Sequence, residues 1–137
     1  MITTWVRSTA LSVAVQAEIE ERLYLGRLPQ TPTLPAVVFR EVKGPEPQSW
    51  QYEHGVGSSG MALYVRRFRF TVHSEDAATA YEVAELLEDA IVGQRGTTDD
   101  GIIIRLVLWV NNYDSWEDNV EEYMRHLEVE IWHTQRP

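Results

Sequence analysis

The sequence contains no cysteine. A disulfide scaffold, a thiolate zinc site and a cysteine nucleophile are therefore excluded. Lysine is almost missing as well. Lys43 stands alone against eleven arginines, so the cations are nearly all of the kind that pairs in a plane with carboxylates. Long apolar runs are absent. No stretch approaches the roughly 20 apolar residues that a membrane span needs. Residues 1–23 are interrupted by Arg7, Glu18, Glu20, Glu21 and Arg22 and lack the unbroken apolar core of a targeting segment. A soluble chain with no membrane partner is expected. Positive charge is scarce overall, with 12 basic against 21 acidic side chains and a net charge of −9. That balance argues against a general nucleic-acid binder, which would need a basic footprint.

What is present fits one domain spanning residues 1–137. A chain of that length buries a core without metals or disulfides. The charge is unevenly placed. Residues 1–73 hold 8 basic and 6 acidic side chains, a balance of +2, and residues 74–137 hold 4 and 15, a balance of −11. Such polarity suits head-to-tail contacts between identical subunits. It also suits a solvated acidic surface.

Periodicity organises the chain. Residues 9–22 read as a helix, with Leu11, Val15, Ile19 and Leu23 stacked on one face and Ser8 as its N-cap. Gly26 stops that element, and Pro29, Pro32 and Pro35 prevent its continuation. Residues 36–42 are β-branched and apolar and read as a strand, ended by Gly44, Pro45 and Pro47. A long loop follows over 46–60. Residues 61–73 read as a long strand, with Tyr64, Phe68, Phe70 and Val72 on one face, Arg67, Arg69, Thr71 and His73 on the other, and Arg66 interrupting the apolar face.

Ser74 is expected to cap a second helix with the stripe Ala80, Val83 or Ala84, Leu87 and Ile91, stopped by Gly93. Residues 94–101 read as a polar connection, 102–110 as an apolar strand, 111–119 as a polar loop and 123–132 as the last strand. In that last strand Leu127, Val129 and Ile131 oppose His126, Glu128, Glu130 and Trp132. The expected fold is α+β: a mainly antiparallel sheet of about four strands with two helices packed on one face.

Several patterns invite a chemical reading. Gly55-Val56-Gly57-Ser58-Ser59-Gly60 matches the letters of a dinucleotide fingerprint, but a strand follows it where a helix N-terminus must hold the pyrophosphate. A loop or hairpin is expected there and no cofactor. Ser58 and Ser59 lack a nucleophile-elbow context. His54, His73, His126 and His133 are not at zinc-helix spacing, although His73 and His133 could meet across neighbouring strands. Asp114, Glu117, Asp118, Glu121 and Glu122 lack the central glycine of a calcium loop. They read as a solvated loop or as an acidic surface for a neighbouring subunit.

Arg66, Arg67 and Arg69 alternate with aromatic residues, a pattern that can bind single-stranded nucleic acid. Alternation sends most of the aromatics inward, so salt bridges from the arginines to another subunit's acidic half are expected instead. Among the five tryptophans Trp109 is expected in the core, while Trp50, Trp116 and Trp132 are candidate interface anchors. The candidate oligomer or partner interface is thus Trp50, Tyr52, His54, Arg66, Arg67, Arg69, Asp114, Trp116, Glu117, Asp118, Glu128, Glu130 and Trp132. No catalytic or metal residues are assigned.

In order and spacing these segments resemble the phage tail-terminator family, also called tail completion or tail-to-head joining proteins (minor tail protein U-like). An amphipathic N-terminal helix precedes Gly26-Arg27-Leu28-Pro29-Gln30. The strand start Leu34-Pro35-Ala36-Val37-Val38-Phe39 follows. Then comes a glycine-rich loop into Gly60-Met61-Ala62-Leu63-Tyr64-Val65-Arg66-Arg67-Phe68-Arg69-Phe70-Thr71-Val72-His73. A helix rich in alanine and acids covers 77–91, and a hairpin closes on 123–132. The acidic loop over 111–122 departs from the family by its length.

The resemblance implies a structural virion protein without enzymatic activity, assembled in the host cytoplasm and placed at the head–tail junction. It implies a ring, expected to be hexameric, whose partners are copies of itself, the tail-tube protein and a head-side connector. DNA would pass through the lumen without specific binding. Another neck or head-closure component, or a small ligand-binding or hydrolytic α+β protein, are the alternatives.

Overall fold

The computed structural model describes residues 1–47, 63–117 and 122–134. The candidates Trp50, Tyr52, His54 and Asp118, and the glycine-rich motif, lie outside the described residues. Three helices, α1 (Ile2–Ala10), α2 (Val13–Ile19) and α3 (Ala77–Ile91), accompany six strands among the described residues. The strands are β1 (Leu23–Leu25), β2 (Ala36–Pro47), β3 (Leu63–Ser74), β4 (Gly96–Thr97), β5 (Ile103–Glu117) and β6 (Glu122–Thr134). They form one sheet in the order β1-β2-β3-β6-β5-β4. The β1–β2 pair is parallel and the others are antiparallel. The expectation of about four mainly antiparallel strands under two helices is therefore corrected to six mixed strands with three helices.

The helix expected over residues 9–22 is confined to α2, and α1 ahead of it, which takes in residues 9 and 10, was not expected. Ile2, Val6 and Ala10 repeat every four residues and are buried on α1. Leu11 ends α1, and Ser12 caps α2 by accepting the Val15 N–H at 3.3 Å. Ser8 lies inside α1 rather than capping it. Val15 and Ile19 keep the expected buried stripe. A tight turn then reverses the chain, with the Arg22 N–H donating to the Ile19 carbonyl and Glu20 at φ 56°.

The aromatic heart of the core comes from β2 and β3. Phe39 stacks on Phe70 at 5.7 Å and tilts against Phe68 at 6.5 Å. Leu127, Val129 and Ile131 of β6 share that face. The helices cover it, and Ala80, Val83, Ala84, Leu87 and Ile91 of α3 are all buried as the stripe predicts. Asp76, not Ser74, caps α3 by accepting the Thr79 N–H at 2.7 Å, while Ser74 is the buried last residue of β3. Gly93 follows α3 at φ +83° and donates its N–H to the Val107 carbonyl, so the expected stop is present.

Two polar connections turn out to be strands. Residues 96–97 form β4, where Gly96 lies so close to the Trp5 indole that an added Cβ would stand 2.7 Å from it. Residues 111–117 continue β5 instead of forming a loop, and pair with β6 as far as Glu117 and Glu122. Trp109 is 51% exposed rather than in the core. It pairs with the buried Val129 in the same register as Val107 with Ile131, yet stays half exposed, and its indole N–H donates to the Asn112 side-chain carbonyl at 2.8 Å.

Candidate assembly surfaces

The sheet face away from the helices is built by strand alternation. Register places Arg67 opposite Glu130 and Arg69 opposite Glu128 across β3 and β6. The side chains close ion pairs at 3.1 Å and 3.0 Å. Glu128 also accepts the Tyr113 hydroxyl from β5 at 3.3 Å. These arginines therefore find carboxylates in the acidic half of their own chain, where a neighbour's acids were expected. An inter-subunit bridge would have to displace them. Folding brings together part of the charge that the linear sequence separates.

Further along the same face Thr71 and Ser115 hold the two ring nitrogens of His126, at 2.9 Å and 2.8 Å. Tyr113 stacks on that ring at 4.5 Å. Burial, with Arg69 and His73 adding to it, pushes the His126 imidazole below its ordinary range. A threonine hydroxyl stands where a hydrolytic triad places a carboxylate. His126 thus serves as a hydrogen-bonded brace between β3 and β5. His73 pairs with Glu122. His73 and His133 do not meet, because register places them at opposite ends of β3 and β6.

Near the β1 side of this face lies a depression of about 350 Å³. Arg27, Arg40 and Arg69 border it over the apolar floor of Leu28, Val38 and Met124.

The helix-side face carries two polar clusters at opposite ends. Arg66 donates to Glu41 at 3.2 Å and to His133 Nε2 at 3.1 Å, while His133 Nδ1 meets the Thr134 carbonyl at 2.8 Å. That pattern fixes a neutral ring with the proton on Nδ1. Burial holds its pKa below the ordinary value, and the Arg66 charge adds to the effect. At the other end the Tyr81 hydroxyl donates to Asp114 at 2.5 Å and Arg125 donates to it at 2.7 Å. The tyrosine, with Arg125 in support, holds the Asp114 carboxyl below the usual carboxylate range against its partial burial.

Trp116 is 50% exposed beside Tyr123, and Glu117 is exposed at the strand end. Trp132 is mostly covered, and its indole N–H is buried without a partner among the described residues. Among the same residues no three His, Cys, Asp or Glu side chains are grouped to hold a metal ion. No helix there is long and apolar enough to cross a membrane.

No family model matches the chain, and no curated protein matches it. A solved structure shares its fold. A chain from the virion of a native gene transfer agent (GTA) particle superposes with a TM-score of 0.65 at 14% sequence identity. The match covers 95% of this chain and 92% of that one.

The structure brings together Arg67 with Glu130, and Arg69 with Glu128. It sets Asp114 and Trp116 together around Tyr81 and Tyr123 at one end of the helix-side face, with Arg66 at the other end and Trp132 apart from both. Sequence reading missed Tyr81, Tyr113, Thr71 and Ser115 as partners. Tyr113 and Ser115 were hidden because the stretch that holds them was read as a loop. Residues 111–117 are largely polar on both sides, so no apolar alternation marked them as a strand.

Proposed function

We propose that this chain is a structural subunit of a tailed-phage-like particle, acting as a tail terminator. It forms a ring on the last ring of the tail tube, stops tube growth and offers the head side a joining surface. The observation that carries this reading is the fold likeness, over nearly the full length of both chains, to a chain from a gene transfer agent virion. The order of sequence segments adds to it.

The physics is compatible with that work. A channel for DNA must not grip phosphates, and the chain carries a net charge of −9. A ring of identical subunits needs two different complementary patches on each copy. The role requires shape and charge and no reaction.

Deleting the gene from the particle that encodes it tests the reading. The expected result is tails of uncontrolled length that do not join heads, restored by supplying the protein. Particles with ordinary tails attached to heads would overturn it. Binding of the purified protein to portal complexes but not to tails would instead favour a head-closure component.

A further inference from the structure

The two outer edges of the sheet match each other. Successive registers place Leu25, Phe39, Phe70, Leu127 and Asn112 in one row across five strands. Two rows away, Leu23, Val37, Val72, Arg125 and Asp114 form another. Each row begins on β1 and ends on β5. β4 covers β5 only at Ile103 and Ile104, and the Gly93 N–H covers the Val107 carbonyl. Beyond that point no strand among the described residues pairs with the outer side of β5.

Direction fits as well. β1 runs with β2, and three antiparallel steps then lead to β5, so β1 and β5 run in opposite senses. A copy rotated about an axis along the strands would bring its β1 beside β5 at the same height, and the antiparallel ladder would continue.

The chemistry of the edges agrees. Leu25 is 57% exposed on β1, and Trp109 and Leu108 are 51% and 39% exposed on β5. Arg27 and Arg40 stand exposed beside β1. From 106 to 117 β5 carries no basic residue and ends on the exposed Glu117, while its Asp114 is already held by Arg125 and Tyr81. That stretch also lacks the lysine and proline with which proteins blunt exposed edges. By contrast, the part of β2 beyond the reach of β1 carries Lys43, Pro45, Pro47 and two register shifts. The blunted edge lies outside the matched rows, and the open edge lies within them.

We propose that a second copy of this chain pairs its β1 antiparallel with the open stretch of β5, so that one sheet runs continuously around a closed ring. The proposal rests on the ring reading above and names the surfaces that join its subunits.

The absence of cysteine permits a clean test. A variant carrying Leu25→Cys and Asn112→Cys is oxidised over a range of concentrations and resolved by mass under denaturing conditions. The two positions are roughly 19 Å apart within one copy, four strand spacings, so they cannot bridge internally. The expected result is a covalent ladder of copies ending at a closed ring. A control variant with Leu25→Cys and Glu85→Cys, whose second site is exposed on α3, gives no ladder.

If the control forms the ladder equally well, or the test variant forms none, the proposal is overturned. Native mass measurement of the unaltered protein separates the two readings. Rings without the cross-link mean that other surfaces join the subunits, and the ring reading survives. A single copy at every concentration, with no cross-link, removes the proposed pairing and leaves the ring reading to the gene-deletion test.

Discussion

Phe70 and Arg69 are neighbours on β3, yet they face opposite sides of the sheet under opposite rules. The helix-covered side excludes water. Phe70, Phe39, Phe68 and Ile131 are fully buried there, and stability comes from area and close packing. The open side stays half wet. Arg69 and Arg67 each keep about a third of their side chains exposed, at 33% and 34%. Charge pairs exchange water for each other there, with little net gain. The comparison teaches that one face is held by buried area, while the other is held by paired groups that stay within reach of water.

Truncation should separate the faces most sharply. Phe70→Ala removes a ring stacked on Phe39 and leaves a cavity, so a loss of about 3–5 kcal/mol is expected in chemical denaturation. A loss near zero would mean that the core is not packed as described. On the open face the most sensitive position is Glu128, which is 8% exposed and accepts from both Arg69 and Tyr113. Glu128→Ala is expected to cost about 1–3 kcal/mol, with part recovered in Glu128→Gln, which keeps an acceptor. Equal losses in the two variants would show that charge, not hydrogen bonding, is what matters there.

Acid should weaken the protein through both faces at once. His126 on the open face and His133 on the covered face are held below the ordinary value of 6.5. As pH falls through 6.5 the unfolded chain binds protons that the folded chain still refuses. The unfolded state therefore gains, and stability drops from that pH downward until the folded rings titrate. Denaturation midpoints should be level above about pH 7 and decline below about pH 6.5. The double variant His126→Gln, His133→Gln should flatten the decline. An unchanged slope in that variant would assign the effect to other groups.

These contrasts also explain what could be read from the sequence. Ala80, Val83, Leu87 and Ile91 repeat with the helix period, and Phe68, Phe70 and Val72 with the strand period, so α3 and β3 were legible. Burial writes itself into periodicity. Elements whose existence depends on a partner strand left no such mark. β1 has three residues and β4 two, and each is held by hydrogen bonds to a longer neighbour. From 111 to 117 the chain is largely polar on both sides, and pairing with β6 carries the strand on.

α1 was missed because Leu11 offers an apparent start to the stripe that Val15 and Ile19 continue, while the capping role belongs to Ser12 and not to Ser8. For the candidate surface, the residue types were legible and their partners were not. Arg67 and Arg69 were read as facing a neighbour, and only register shows that Glu130 and Glu128 stand opposite them.

A smaller effect of opposite sign is expected outside the sheet. Glu20 holds φ 56° and ψ −118° in the turn after α2, a conformation that suits glycine. Its exposed ion pair with Arg22 offsets little of that strain, since the Glu20 side chain is 82% exposed. Glu20→Gly should therefore raise stability by about 1 kcal/mol, visible as a higher thermal midpoint. A lower midpoint would show that the ion pair outweighs the backbone.

The smallest effect belongs to Arg67 and Glu130, and it bears most directly on the purpose of the open face. Each side chain is about a third exposed, at 34% and 28%, around their contact at 3.1 Å. A double-mutant cycle to alanine should give a coupling below about 1 kcal/mol, shrinking further in salt. Such a weak pair can be exchanged for a partner's groups at little cost, as an assembly surface requires. A coupling of several kcal/mol would instead make the ladder part of the fold's own support, and the open face would be poorly suited to trade its internal contacts for external ones.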